Sequence, residues 1–229
     1  MTAPSVAANL SVIWFDLDGT LVDSARDLAM PIHEMRRLRG LEPIADAVLR
    51  PFTSMGARGL LMRGFGVQKG DPEFEPLREE FLARYEKSMV VHTSLFPEMG
   101  ELLGRIESNG LRWGVVSNKF ERYVKQILNA LDLTRRCAAV VGGDTTPFPK
   151  PSPANLFYAC GAAAVDPRRC VYVGDDLRDV EAGRAAGMKT IAASYGYCGD
   201  ALPPSEWGAD ALIETPLQLW TWLADHIAR

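Results

Sequence analysis

The sequence predicts an α/β protein: a parallel sheet covered by helices, with an all-helical block inserted near its start. Three observations carry this prediction. Val12-Ile13-Trp14-Phe15 is apolar without alternation, as a strand buried on both faces should be. From Phe96 onward, short apolar runs alternate with helical segments, the rhythm of a parallel sheet with right-handed crossovers. Between Gly40 and Thr93 no strand-like run occurs, yet helical periodicity recurs.

The elements follow in order. Asp23-Ser24 is a good N-cap for a helix over Ala25–Leu38 that stops at Gly40, and Pro31 inside it should kink it or mark a junction. Pro43–Arg50, Met55–Phe65 and Pro72–Met89 read as helices punctuated by Gly and Pro. Phe96-Pro97-Glu98 opens a helix closing at Asn109-Gly110; Leu111–Ser117 is a strand and Glu121–Leu131 a helix. Ala138–Val141 is a short strand, Ser152–Cys160 a helix and Cys170–Val173 a strand broken at Gly174-Asp175. A helix then runs to Ala186, Thr190–Ser194 and Ala211–Ile213 are strands, and Pro216–Ile227 is a closing helix. The result is a Rossmann-like core over residues 1–22 and 95–229, with an all-helical insert over 23–94.

Bulk properties narrow the function. A chain of 229 residues supports one core plus a small insert, and 47% hydrophobic with 24% charged residues is ordinary globular composition. The formal charge is −4 with no basic run, which argues against nucleic acid or an anionic membrane as partner. Met1–Ser5 lacks the basic and apolar regions of a signal peptide, no stretch is long enough to span a bilayer, and the four cysteines form no CxxC pair. The expectation is a cytoplasmic protein with reduced thiols, monomeric or homodimeric, acting on a small molecule.

The chemistry concentrates at strand ends, where ligands bind in open parallel sheets. Asp16 and Asp18 leave the first strand on the same side, and Gly19 lets the chain turn there. Ser117-Asn118 end a second strand, and Gly174-Asp175-Asp176 a third, with Asp179 one helical turn on. Lys150 stands in the stiff segment Pro147–Pro153. Asp176 reads equally well as a helix N-cap. If these groups converge, two carboxylates about 4 Å apart repel by roughly 4 kcal/mol at an effective dielectric of 20. One lysine does not offset three acids, so either some are protonated or a divalent cation sits among them. All-oxygen ligands without His or Cys point to Mg²⁺ and suit phosphoryl transfer.

These residues resemble the four motifs of the haloacid dehalogenase-like phosphohydrolases, and within them the phosphoglycolate phosphatase-like group. Asp16-Leu17-Asp18-Gly19-Thr20-Leu21 is similar to the first motif, Ser117 with Asn118 to the second, Lys150-Pro151-Ser152-Pro153 to the third, and Gly174-Asp175 with Asp179 to the fourth. The match spans roughly residues 12–215 and makes the insert the family's helical cap. The resemblance implies that Asp16 attacks phosphorus, Asp18 is general acid and base, and Ser117 and Lys150 bind the phosphoryl oxygens. It implies Mg²⁺ held by the carboxylates of Asp16 and Asp175 and the backbone carbonyl of Asp18, with Asp179, and Asp176 beside it, outside the ligand shell. Gly19, Thr20, Asn118, Gly56 and Arg58 are the expected phosphate and substrate contacts.

The same residues bear on the alternatives. A receiver-type regulatory domain needs no second acid at position 18 and no helical insert. Dehalogenase relatives lack that acid. Phosphonate-cleaving relatives use a cap lysine, whereas Lys69 and Lys87 lie on polar stretches. A phosphomutase shares both acids and stays open. In Thr53–Gly59, Arg58 is positioned to pair with a substrate carboxylate, or else is a solvated helix-start arginine. The expected substrate is 2-phosphoglycolate. N-acetylmuramic acid 6-phosphate is the alternative, because Ser194–Tyr197 and Trp207–Asp210 look similar to bacterial relatives acting on that sugar.

Overall fold

The computed structural model describes residues 10–199 and 202–227, so the expectation for Met1–Ser5 lies outside the described residues. Strands β1 (Val12–Phe15), β4 (Arg112–Val116), β5 (Cys137–Val141), β6 (Cys170–Gly174), β7 (Lys189–Ala193) and β8 (Ala211–Ile213) form one sheet in the order β5-β4-β1-β6-β7-β8. Every neighbouring pair is parallel. The apolar run of β1 lies central in this sheet and is buried along its whole length, which is why it carries no polar alternation.

Two core clusters cover the two sheet faces. Phe15, Trp113 and Val173 pack on one side with α5 (Met99–Ser108), α6 (Glu121–Ala130) and α9 (Pro216–Ile227). Trp14, Val116 and Tyr172 pack on the other with α7 (Ala154–Ala162) and α8 (Leu177–Ala185). No described helix is long and apolar enough to cross a membrane. The four cysteines are free thiols, with Cys160 and Cys170 buried.

The insert leaves and rejoins the core through a short antiparallel pair, β2 (Val22–Asp23) with β3 (Ser94–Leu95). At two residues each, these strands are too short to show periodicity in the sequence. The insert comprises α1 (Ala25–Leu38), α2 (Asp46–Leu49), α3 (Gly56–Phe65) and α4 (Phe74–Ser88). α1 runs through Pro31 and marks no junction there. The helix expected over Pro43–Arg50 shrinks to four residues, and a 3-10 segment, Arg50–Met55, takes its place. Pro51, just beyond the expected span, explains where the helix stops, because it lacks an N–H and its ring crowds the preceding turn.

Asp27 ties the two connections together. Its buried carboxylate accepts from the backbone N–H groups of His92 and Thr93 and from the Thr93 hydroxyl, at 2.7–3.0 Å. Ser24, expected as the α1 cap, makes no capping bond. Its hydroxyl donates instead to Asp18, and its N–H donates to the Tyr197 hydroxyl at 2.8 Å.

Candidate active site

The carboxyl ends of β1, β4 and β6 meet the 3-10 segment and α4 of the insert around one cavity of about 290 Å³. Asp16, Asp18, Ser117, Asn118, Lys150, Asp176 and Asp179 line it from the core, and Gly56 and Arg58 from the insert. Asp175 lies beneath it, fully buried.

Asp16 follows directly on β1, and its N–H continues the ladder to Val173 at 2.9 Å. Its Oδ1 accepts from the Leu17 N–H at 2.7 Å and lies 3.1 Å from Lys150 Nζ. Lys150 is buried and also reaches Asp179 at 2.6 Å and the Tyr172 hydroxyl at 2.7 Å. Burial works against its charge, but Asp16 and Asp179 hold its pKa above the usual lysine value. Its backbone is fixed by Asn118, whose Oδ1 accepts from the Lys150 N–H at 2.8 Å and whose Nδ2 donates to the Lys150 carbonyl at 3.0 Å. The Asn118 side chain, expected on the substrate, is thus spent on placing Lys150.

Gly19 and Thr20 also differ from expectation. The Gly19 N–H donates to Val22 O at 3.0 Å, and the Thr20 hydroxyl donates to Asp175 Oδ1 at 3.0 Å. Both support the acids, and neither lines the cavity. Gly19 has φ of +85°, and a Cβ there would lie 2.1 Å from Asp175 Oδ2. Only glycine fits so close a turn.

Asp176 proves to be the α8 N-cap. It accepts from the Arg178 N–H at 2.9 Å, while Asp179 Oδ2 accepts from the Asp176 N–H at 3.1 Å, a reciprocal capping box. The Arg178 guanidinium neutralises Asp176 and donates to Ser54 O in the insert at 2.8 Å.

Sequence reasoning passes over one cation at the centre. Lys119 Nζ lies 2.9 Å from Oδ2 and 3.1 Å from Oδ1 of Asp18, with 9% of its side chain exposed. Burial opposes its charge, and Asp18 and Tyr85 hold its pKa above the usual value. The signal lay in plain sequence, one residue past Ser117-Asn118. By contrast, Lys69 and Lys87 are exposed, as expected, and neither lines the cavity.

An oxygen from each of Asp16, Asp175 and Asp179 lies within 4.8 Å of the others. Burial, then the neighbouring acids Asp16 and Asp179, pushes Asp175 up to about 8. Burial also pushes Asp179 up, against the pull of Lys150. Four carboxylates (Asp16, Asp18, Asp175 and Asp179) face two ammonium groups, leaving a formal charge of −2. A hard divalent cation fits that deficit and that oxygen donor set.

A Rossmann-like sheet with paired acids at a central strand end, a buried lysine and an acidic cluster defines a phosphoryl-handling site of the Asp-based kind. Residues 13–193 match the model of the haloacid dehalogenase-like hydrolase family. The chain is 41% identical to N-acetylmuramic acid 6-phosphate phosphatase of Pseudomonas aeruginosa, over 92% of this chain and 93% of that protein. It is 43% identical to a phosphoglycolate phosphatase of Xanthomonas campestris pv. campestris, over 91% and 94%. A crystal structure of a predicted phosphoglycolate phosphatase from Haemophilus somnus 129pt is similar with a TM-score of 0.81 at 27% identity, covering 93% of this chain and 97% of that one. The chain belongs to the haloacid dehalogenase-like hydrolases. Within them it is a phosphatase of the phosphoglycolate phosphatase-like group.

Proposed function

We propose that the chain hydrolyses a small acidic phosphate monoester, 2-phosphoglycolate in the first reading, through a phosphorylated Asp16. The observation that carries this is the pairing of each acid with its own lysine in one cavity, Asp16 with Lys150 and Asp18 with Lys119. An Asp16 carboxylate oxygen attacks phosphorus and the ester P–O bond breaks. Asp18 gives its proton to the departing alcohol. Water then attacks the aspartyl phosphate, Asp18 takes the water's proton, and phosphate leaves with Asp16 restored. Lys150 and Ser117 bind the phosphoryl oxygens, and Lys150 offsets the charge on Asp16. Asp16, Asp175 and the Asp18 carbonyl would hold Mg²⁺, supported by Asp179, and the ion supplies neutralisation of phosphoryl charge. Residues 23–94 act as the cap that closes the site from water.

A second reading, N-acetylmuramic acid 6-phosphate, is favoured by the cavity itself. Leu28, Phe81, Leu82 and Phe120 give it an apolar wall that a two-carbon alcohol leaves largely uncovered. A hydrolysis screen over both acids, hexose phosphates and nucleotides, with and without Mg²⁺, decides between them. Asp16→Asn is expected to lower kcat by about 10³-fold or more, in line with loss of a covalent nucleophile. Near-normal turnover by that variant would sink the covalent scheme.

A further inference from the structure

Arg58, the cation expected to meet a substrate carboxylate, stands exposed at the cavity wall. An ion pair formed there is screened by water and contributes little selectivity. Lys119 is different on every count. Its side chain is only 9% exposed, lines the same cavity, and sits against Asp18, the group assigned to the leaving oxygen. An ammonium has three N–H donors, and two point at the two Asp18 oxygens.

Behind Lys119 stands Tyr85 of α4, with the ammonium 4.7 Å from its ring centroid. Tyr85 is 1% exposed, lines the cavity, and its hydroxyl has no hydrogen-bond partner among the described residues. A buried hydroxyl left unpaired is costly, so evolution tolerates it chiefly where something else completes it. Phe81 stacks on Tyr85 and Tyr123 meets it edge-on, so the ring is held rigidly against Lys119.

We propose that Lys119 and Tyr85 form the subsite for a carboxylate on the leaving alcohol, with Arg58 only attracting the ester to the entrance. The inference rests on the acidic-ester reading given above. The unspent N–H of Lys119 and the Tyr85 hydroxyl both donate to that carboxylate. Because Lys119 touches Asp18, a carboxylate held there keeps the ester oxygen beside the acid. Core and insert each supply one donor, so the subsite exists only with the insert over the core.

The test compares each acid with a partner lacking the carboxylate: 2-phosphoglycolate with ethyl phosphate, and N-acetylmuramic acid 6-phosphate with N-acetylglucosamine 6-phosphate. The readout is the ratio of kcat/KM within each pair. Lys119→Met is expected to reduce that ratio at least tenfold for the preferred acid, and Tyr85→Phe about fivefold. Lys119→Arg, which keeps charge and donors, should retain most of the ratio, and Arg58→Ala should change it less than threefold. Equal loss on both esters in Lys119→Met and Tyr85→Phe, or loss of the ratio in Arg58→Ala instead, overturns the subsite. Should wild type show no preference within either pair, the acidic-ester reading fails with it, and that result comes from wild type alone.

Discussion

The Ser54 hydroxyl donates to Oδ2 of Asp175 at 3.1 Å, joining the insert to the deepest acid of the core across 121 residues. The same oxygen accepts from the Tyr197 N–H at 2.9 Å. Arg178 closes the contact from the other side by donating to Ser54 O. The helical insert is therefore keyed onto a carboxylate of the acidic cluster rather than merely resting on the sheet.

Ser54→Ala should cost about 1 kcal/mol of stability, the usual net worth of one such bond. Because Asp175 Oδ2 keeps the Tyr197 N–H, Mg²⁺ affinity should stay within threefold of wild type. Urea unfolding and titration calorimetry read the two quantities separately.

Gly19→Ala should be severe. The residue would have to adopt φ of +85° and drive its Cβ into Asp175. Strain of this kind costs about 1–3 kcal/mol by itself, and displacement of Asp175 should lower kcat at least 100-fold. Thermal unfolding and turnover of an aryl phosphate measure both; a near-wild-type variant would show that Asp175 has room to move.

Metal-free protein should lose stability as pH rises from about 5 to about 8. Burial and neighbouring acids raise Asp175 to about 8 in the folded state, and Asp179 is raised as well. Between the unfolded carboxylate value of about 4 and these raised values, the folded protein binds more protons than the unfolded one. Stability therefore falls with pH across that window. The carboxylates lowered by their partners, such as Asp176 and Glu107, act below about pH 4 and do not mask the trend. Mg²⁺ should raise Tm most at pH 8 and release protons on binding, and chelation should abolish turnover. A flat Tm against pH without metal would count against the acidic cluster as a cation site.

Asp27→Ala should destabilise the protein by about 3 kcal/mol, because it strips a buried carboxylate from two backbone N–H groups and a hydroxyl. Since these bonds join α1 to the returning connection, limited proteolysis should begin within residues 89–95. Cleavage elsewhere first would place the weak point away from this junction.

Much of the fold can be read from the chain because its signals are local. The β1 run is unbroken by polar residues since it has neighbours on both edges and helices on both faces. The helices over Ala25–Leu38 and Pro216–Ile227 and the strand Ala211–Ile213 agree with periodicity to the residue. The β2–β3 pair is illegible because two-residue strands carry no period, and the Pro43–Arg50 helix shortens to Asp46–Leu49, ended ahead of Pro51.

By itself, the sequence determines the sheet, the insert, and the delivery of Asp16, Asp18, Ser117 and Asp175 to strand ends, since strand parity and chain order fix those positions, and it places Lys150 in the stiff Pro147–Pro153 segment. Only the tertiary structure decides what each group touches. It turns Asn118 onto Lys150, Thr20 onto Asp175 and Ser24 onto Asp18, and it sets Lys119 between Asp18 and Tyr85. The physical reason is that a side chain's partner depends on burial and on groups brought from distant segments. The opening Asp-x-Asp thus carries the chemistry in its own spacing, while the lysines that divide its charge come from 101 and 134 positions further along the chain.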